Sequence, residues 1–329
     1  MVCRARRWVV PGLAGLLVLV PTPHAADNAP AFGDWVADLR HEAAAQGIRS
    51  ATLDVALSGI APVPRVLELD QDQPEFKLSF AEYLARVAPP ARVTRGRQLL
   101  AENRPLLEEI RARYGVQPRV VVALWGVETD FGRLQGGFRV IEALATLAYD
   151  GRRSAFFRRE LLAALHILDE GHVAPAEFLG SWAGATGQCQ FMPTTFRQHA
   201  VDFNGDGRCN IWSDRADALA SGAQYLASAG WQGDRLWGRR VRLPAGLDSE
   251  AAGLDRRRPL SEWQALGVRR ADGRDLPRAP NLDASLILPD GDGGPAFLVY
   301  DNFRALMAWN RSIHFATAVG ILSDRIGGR

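Results

Sequence analysis

The segment PRVVVALWGVETDFG, Pro118 to Gly132, joins an apolar run to a glutamate. Pro118 suits the first position of a helix, where a backbone N–H has no intrahelical partner to lose. Val121, Leu124, Trp125 and Glu128 then recur at i, i+3, i+4 and i+7, which puts them on one helical face. Glu128 therefore shares the stripe expected to face the core. Burial disfavours an ionised carboxyl group and raises its pKa. A carboxylic acid kept protonated near neutral pH is a proton donor of the kind that cleavage of a sugar–oxygen bond requires. The same spacing also allows a plain structural ion pair, with Arg133 or Arg139 as partner.

Further along, GSWAGATGQCQFMPTTF (Gly180–Phe196) sets three glycines, Gly180, Gly184 and Gly187, among Trp182, Phe191, Ser181, Thr186, Gln188 and Gln190. Glycine lets backbone approach a ligand closely, and aromatic rings with amide side chains suit the apolar faces and hydroxyls of a sugar. An ordinary loop leading into a helix near Pro193 has the same composition.

Around these two motifs the pattern is mostly helical. Phe32, Trp35, Val36, Leu39 and Ala43 share a face that stops at Gly47, and KLSFAEYLARVA ends before the paired prolines at Pro89. VTRGRQLLAENRPLLEEIRARYG predicts one long helix closing at Gly115. Helices are also predicted in GFRVIEALATLAY, RRSAFFRRELLAALHILDEG, DALASGAQYLASAG and, as a single final helix, NFRALMAWNRSIHFATAVGILSDRI. From Arg239 to Phe297 the chain is rich in Pro, Gly and Arg, and short alternating runs such as RRVRLP, SLILP and AFLVY read as strands.

DFNGDGRCNIWSD places Asp202, Asn204 and Asp206 at positions 1, 3 and 5 of an EF-hand-like loop, with Gly207 at the sharp turn and the Arg208 carbonyl at position 7. The glutamate of position 12 is replaced by Ser213, so Asp214 or Asp217 would have to close the cage. This oxygen set suits a structural calcium ion; an Asx-turn loop without metal is the alternative. No cofactor is expected for catalysis. Cys189 and Cys209 either form a disulfide or remain two separate thiols.

The first residues carry Arg4, Arg6 and Arg7, an apolar run from Trp8 to Val20, and the small pair Ala25/Ala26, the three parts of an export signal over residues 1–26. A retained anchor is the alternative. No later apolar run is long enough to span a membrane. Cys3 precedes the apolar run, so no lipid-acceptor cysteine follows it. Cleavage removes three arginines, taking the formal charge from +2 to −1. A near-neutral chain without clustered basic residues is a poor partner for nucleic acid. The expected location is the periplasm, with a monomer as the default state.

In order along the chain, QPEF (Gln73–Phe76), GVETDFG, GSWAGATGQCQFMPTTF, DFNGDG, PAFLVYDNF and WNRS resemble the membrane-bound lytic murein transglycosylase B family, glycoside hydrolase family 103. The resemblance implies a mainly α (α+β) fold. Its parts are a helical N-terminal domain (27–115), a lysozyme-like helical core (116–238, with the acidic loop at 202–217), a small inserted β subdomain (239–296) and a C-terminal helix completing the core (297–329). It also implies cleavage of the β-1,4 bond between N-acetylmuramic acid and N-acetylglucosamine in peptidoglycan glycan strands, without water, leaving a 1,6-anhydromuramoyl end. Glu128 matches the family's acid/base, Ser181, Gln190, Phe191, Tyr225 and Asn310 match glycan-groove positions, and Arg152 and Arg153 match basic residues facing peptide stems. The groove tyrosines of the family are replaced here by Phe156 and Trp309, and the two cysteines fall outside its pattern. A hydrolytic muramidase and a non-catalytic peptidoglycan-binding scaffold are the competing readings.

Overall fold

The computed structural model describes residues 31–71, 78–247 and 249–328. The leader segment 1–26 and the QPEF motif lie outside the described residues. The chain begins with α1 (Phe32–Ala45), α2 (Ser50–Ala56), α3 (Pro64–Gln71), α4 (Phe80–Val87), α5 (Pro90–Glu102), α6 (Arg104–Tyr114) and α7 (Pro118–Thr129). It continues through β1 (Phe138–Arg139), α8 (Val140–Tyr149), α9 (Ser154–Asp169), β2 (Leu179–Gly180), α10 (Pro193–His199) and α11 (Arg215–Ser228). The last part holds β3 (Gly238–Arg242), β4 (Arg257–Pro259), α12 (Leu260–Ala265), β5 (Arg269–Arg270), β6 (Asp283–Ile287), β7 (Ala296–Val299), α13 (Asp301–Trp309) and α14 (Ile313–Ile326). The fold is mainly helical, as the sequence predicts.

Two predicted long helices are broken in the structure, each for a local reason. The first stops at Asn103, because Pro105 has no N–H to continue the ladder and its ring crowds the preceding turn. The Asn103 amide donates to the Leu99 carbonyl at 2.8 Å and so closes α5. The C-terminal helix breaks at 310–312, where Asn310 takes an extended conformation and the Ser312 hydroxyl accepts the Phe315 N–H as N-cap of α14.

Helix α7 is not a surface helix with one apolar stripe. Val120 to Gly126 are all buried, so it is a central strut against which α14, α5, α11 and α6 pack. Each fully buried Val or Leu side chain contributes about 1.5–3 kcal/mol relative to exposure, which makes this helix a rigid mount for the residues at its C-terminal end. A second core lies under α1–α3 and α8–α10. Antiparallel strands in the order β4-β6-β7-β3-β5 form the sheet, with its own core around Trp263, Leu286 and Leu298. Its last strand, β7, reaches Val299 and so crosses the predicted subdomain edge at residue 296.

Candidate active site

Trp309 packs against both large helical cores, and Glu128 meets it at that seam. The end of α7 is tightly wound: Asp130, Phe131 and Gly132 follow one another with φ of 50°, 63° and 82°. Such left-handed turns cost a residue with a side chain roughly 1–2 kcal/mol each. Several contacts hold them in place. The Phe131 N–H donates to the Trp125 carbonyl and the Asp130 N–H to that of Gly126, at 3.2 and 3.1 Å, which satisfies carbonyls left open at a helix end. Phe131 then folds back over Gly126, where an added Cβ would lie 2.7 Å from its ring. Asp130 pairs with Arg92 and Arg133. Burial pushes its carboxyl up, but the bonds to Arg133 and Arg92 outweigh this and hold its pKa below the usual range.

The half-buried Glu128 lines a narrow cleft with Trp125, Gln188, Cys189, Gly222 and Trp309. Its Oε1 accepts a hydrogen bond from the Trp309 indole N–H at 2.6 Å. The arginines that could have paired with it structurally are engaged elsewhere, Arg133 with Asp130 and Arg139 with Glu142. Behind Trp309 stand Phe191 and Tyr225, with ring centroids 5.2 and 4.8 Å from it. The Tyr225 hydroxyl donates to the Ala308 carbonyl at 2.7 Å. Phe191 is only 2% exposed and supports Trp309 from below.

The Gly-rich segment forms the opposite wall. The Gln188 side chain accepts from the Trp125 indole at 3.0 Å and donates to the Trp212 carbonyl at 3.2 Å, while the Thr129 hydroxyl donates to its backbone carbonyl at 2.9 Å. Gln190, with φ of 49°, donates to the Gln135 and Gly187 carbonyls. The Ser181 hydroxyl accepts the Ala185 N–H. An added Cβ on Gly136 would lie 2.1 Å from the Gly180 carbonyl oxygen, so glycine is required where these loops cross.

Arg152, Arg153 and Phe156 make their contacts elsewhere. Arg152 and Arg153 both pair with Asp70, whose side chain is 2% exposed. Phe156 contacts Phe157 and lies under the Arg159 guanidinium. Asn310 caps the break after α13, its Oδ1 accepting the Ser312 N–H. Cys189 and Cys209 are free thiols, so the disulfide alternative is corrected. The Cys189 thiol donates to the Ala218 carbonyl, and burial, then the nearby Glu128 charge, push it far above the ordinary thiol range. Burial raises Cys209 to about 11.

The acidic loop is held by bonds from its own carboxylates to its backbone. Asp202 accepts the N–H groups of Gly205, Asp206 and Gly207, and Asp206 that of Arg208. Asn204 donates to Asp214, which is also the N-cap of α11. Asp217 is buried, with one oxygen accepting the Phe203 N–H at 2.8 Å and the other that of Asn210 at 2.7 Å. Among the described residues no three His, Cys, Asp or Glu side chains are grouped as a metal site needs.

Gln188 and Asp70 are the polar anchors that sequence reading missed as such. Their partners are 63 and 82 residues away, so no local spacing announces them.

The model of a family described as "Transglycosylase SLT domain" matches residues 31–324. The chain is 35% identical over 226 residues to the membrane-bound lytic murein transglycosylase B of Escherichia coli, covering 65% of this chain and 58% of that protein. It thus spans less than two thirds of that relative. The crystal structure of SltB3 from Pseudomonas aeruginosa in complex with NAG-anhNAM-pentapeptide is similar at 48% identity and a TM-score of 0.88, over 91% of this chain and 80% of that one. The Escherichia coli lytic transglycosylase Slt35, solved with calcium, matches at 30% identity and a TM-score of 0.76, over 91% and 93% of the two chains.

Proposed function

The chain belongs to the Transglycosylase SLT domain family, and from that premise we propose that it is a lytic transglycosylase of peptidoglycan. In this reading it cleaves the β-1,4 bond between N-acetylmuramic acid and N-acetylglucosamine and leaves a 1,6-anhydromuramoyl end. Glu128 acts first as acid, protonating the leaving oxygen while an oxocarbenium-like centre develops, with the 2-acetamido group assisting from the opposite face. The resulting carboxylate then takes the proton of the same sugar's 6-hydroxyl, whose oxygen closes the anhydro ring.

The observation that carries this reading is the setting of Glu128. It stands in an aromatic cleft at the end of a buried helix, while its nearest neighbours in sequence that could serve as a second carboxylate, Asp130 and Glu142, are paired with arginines. A hydrolase ordinarily needs a second carboxylate about 5–10 Å from the first. A transglycosylase does not, because the substrate's hydroxyl replaces water. A relative solved with a fragment that carries an anhydro sugar supports the same product. The basic, apolar and small-residue parts of the leader support export to the periplasm. Among the described residues no helix is long and apolar enough to cross a membrane.

Mass spectrometry of digested sacculi tests the proposal. The expected muropeptides are one water lighter than those of a muramidase, and Glu128→Gln should abolish turnover while glycan binding persists. Products with reducing ends, or full activity in the variant, would refute it.

A further inference from the structure

Resting on the role of Glu128 as acid and then base, we propose that Trp309 is a positioning residue that decides which carboxyl oxygen of Glu128 carries the transferable proton. The indole nitrogen can only donate, and it lies 2.6 Å from Oε1. In a protonated carboxyl group the carbonyl oxygen is the good acceptor and the hydroxyl oxygen a poor one. Trp309 therefore holds Oε1 as the carbonyl oxygen and leaves the proton on Oε2. When the Oε2–H bond breaks toward the leaving oxygen, the electron pair of the sugar–oxygen bond goes with that oxygen. The bond from Trp309 becomes charge-assisted and strengthens. Oε2 then receives the proton of the 6-hydroxyl as its oxygen bonds to the anomeric carbon, and Glu128 returns to its starting state.

The donor is rigidly mounted. Trp309 ends α13 at the 310–312 break, Phe191 and Tyr225 pack its ring, and the Tyr225 hydroxyl fixes the carbonyl just before it. The other titratable and charged groups around the site do not compete near neutral pH. Burial pushes Cys189 and Tyr225 up and His199, behind Tyr225, down, which keeps all three neutral. Arg215 lies over the Trp125 ring at 5.5 Å, and Asp130 is held by Arg92 and Arg133. With Glu128 as the acid, the alkaline limb of the rate profile reports the loss of its proton.

The test removes the N–H and keeps a ring. Trp309→Phe, and replacement of Trp309 by 3-benzothienylalanine, which preserves the volume of indole and so guards against misfolding, are compared with the wild type on purified glycan strands. Because the lost bond favours the ionised carboxyl more than the neutral one, the alkaline limb of kcat/KM should move up by about one pH unit. At the plateau kcat should fall about tenfold with KM within about twofold. An unmoved limb, or a loss confined to KM, overturns the proposal and leaves Trp309 a stacking residue. If the wild type makes no anhydro ends, the parent reading fails instead, so the two failures are distinguishable.

Discussion

Replacing Gln188 by Met isolates the bond between two side chains that, beside the Thr129 hydroxyl, ties α7 to the Gly-rich wall. Gln188 is 6% exposed, and its side chain makes two bonds, accepting from the Trp125 indole at 3.0 Å and donating to the Trp212 carbonyl at 3.2 Å. Met fills a similar volume with an unbranched chain. The Trp212 carbonyl keeps a second donor, the Gln135 amide at 3.0 Å, so it is not orphaned. The Trp125 N–H is orphaned, in a residue only 6% exposed. An unsatisfied buried donor costs about 1–3 kcal/mol, which for a chain of this size is a fall in Tm of about 2–5 °C. A double-mutant cycle with Trp125→Phe, followed by thermal and urea unfolding, separates this from general repacking. With the donor already gone, Gln188→Met should cost at least about 1 kcal/mol less than in the wild type. Additive losses would show that the bond contributes nothing to holding α7 against the Gly-rich wall.

Asp70→Ala should lower stability by about 1–3 kcal/mol, less than for a wholly buried pair because Arg152 and Arg153 are 57% and 53% exposed and can turn to solvent; an unchanged Tm would refute the clamp. For pH, burial lowers the pKa of His166, helped by Arg197, and of His172 and His199 below the ordinary 6.5. The unfolded chain then takes up protons first, so stability is full above about pH 6.5 and falls as pH drops below it. Urea midpoints between pH 7.5 and 5.5 should decline less when His199, whose Nδ1 is buried without a partner, is replaced by Phe; parallel declines would remove His199 from the account.

What the sequence could reveal was set by the range of the interaction. Pro118, the apolar spacing and Glu128 lie within one helix, so the mount and its carboxylate were legible together. The alternating strands announced a sheet, but β4 beside β6 and β3 between β7 and β5 are pairings across long intervals, and no local pattern encodes them. The breaks at Asn103 and at 310–312 had local signals in Pro105 and Ser312, yet apolar periodicity runs through both and hid them. For Asp217 the acidic loop was plain in the sequence, but the bonds of its oxygens to the backbone amides of Phe203 and Asn210 were not.

The break at 310–312 is where local chemistry and the site become one argument. A helix end leaves its last carbonyls without intrahelical donors. The Ala308 carbonyl meets this with the Tyr225 hydroxyl, so that hydroxyl is committed to α13 as well as lying near the groove. Had α13 run on into α14, Ala308 would have an amide partner four residues along the helix, and Tyr225 would lose its hold. Trp309 instead sits at a pinned terminus, 181 residues from the glutamate it meets. The seam between the two helical cores thus fixes donor and acceptor from opposite sides. The geometry around Glu128 depends on the helix being interrupted as much as on the residue that α13 presents there.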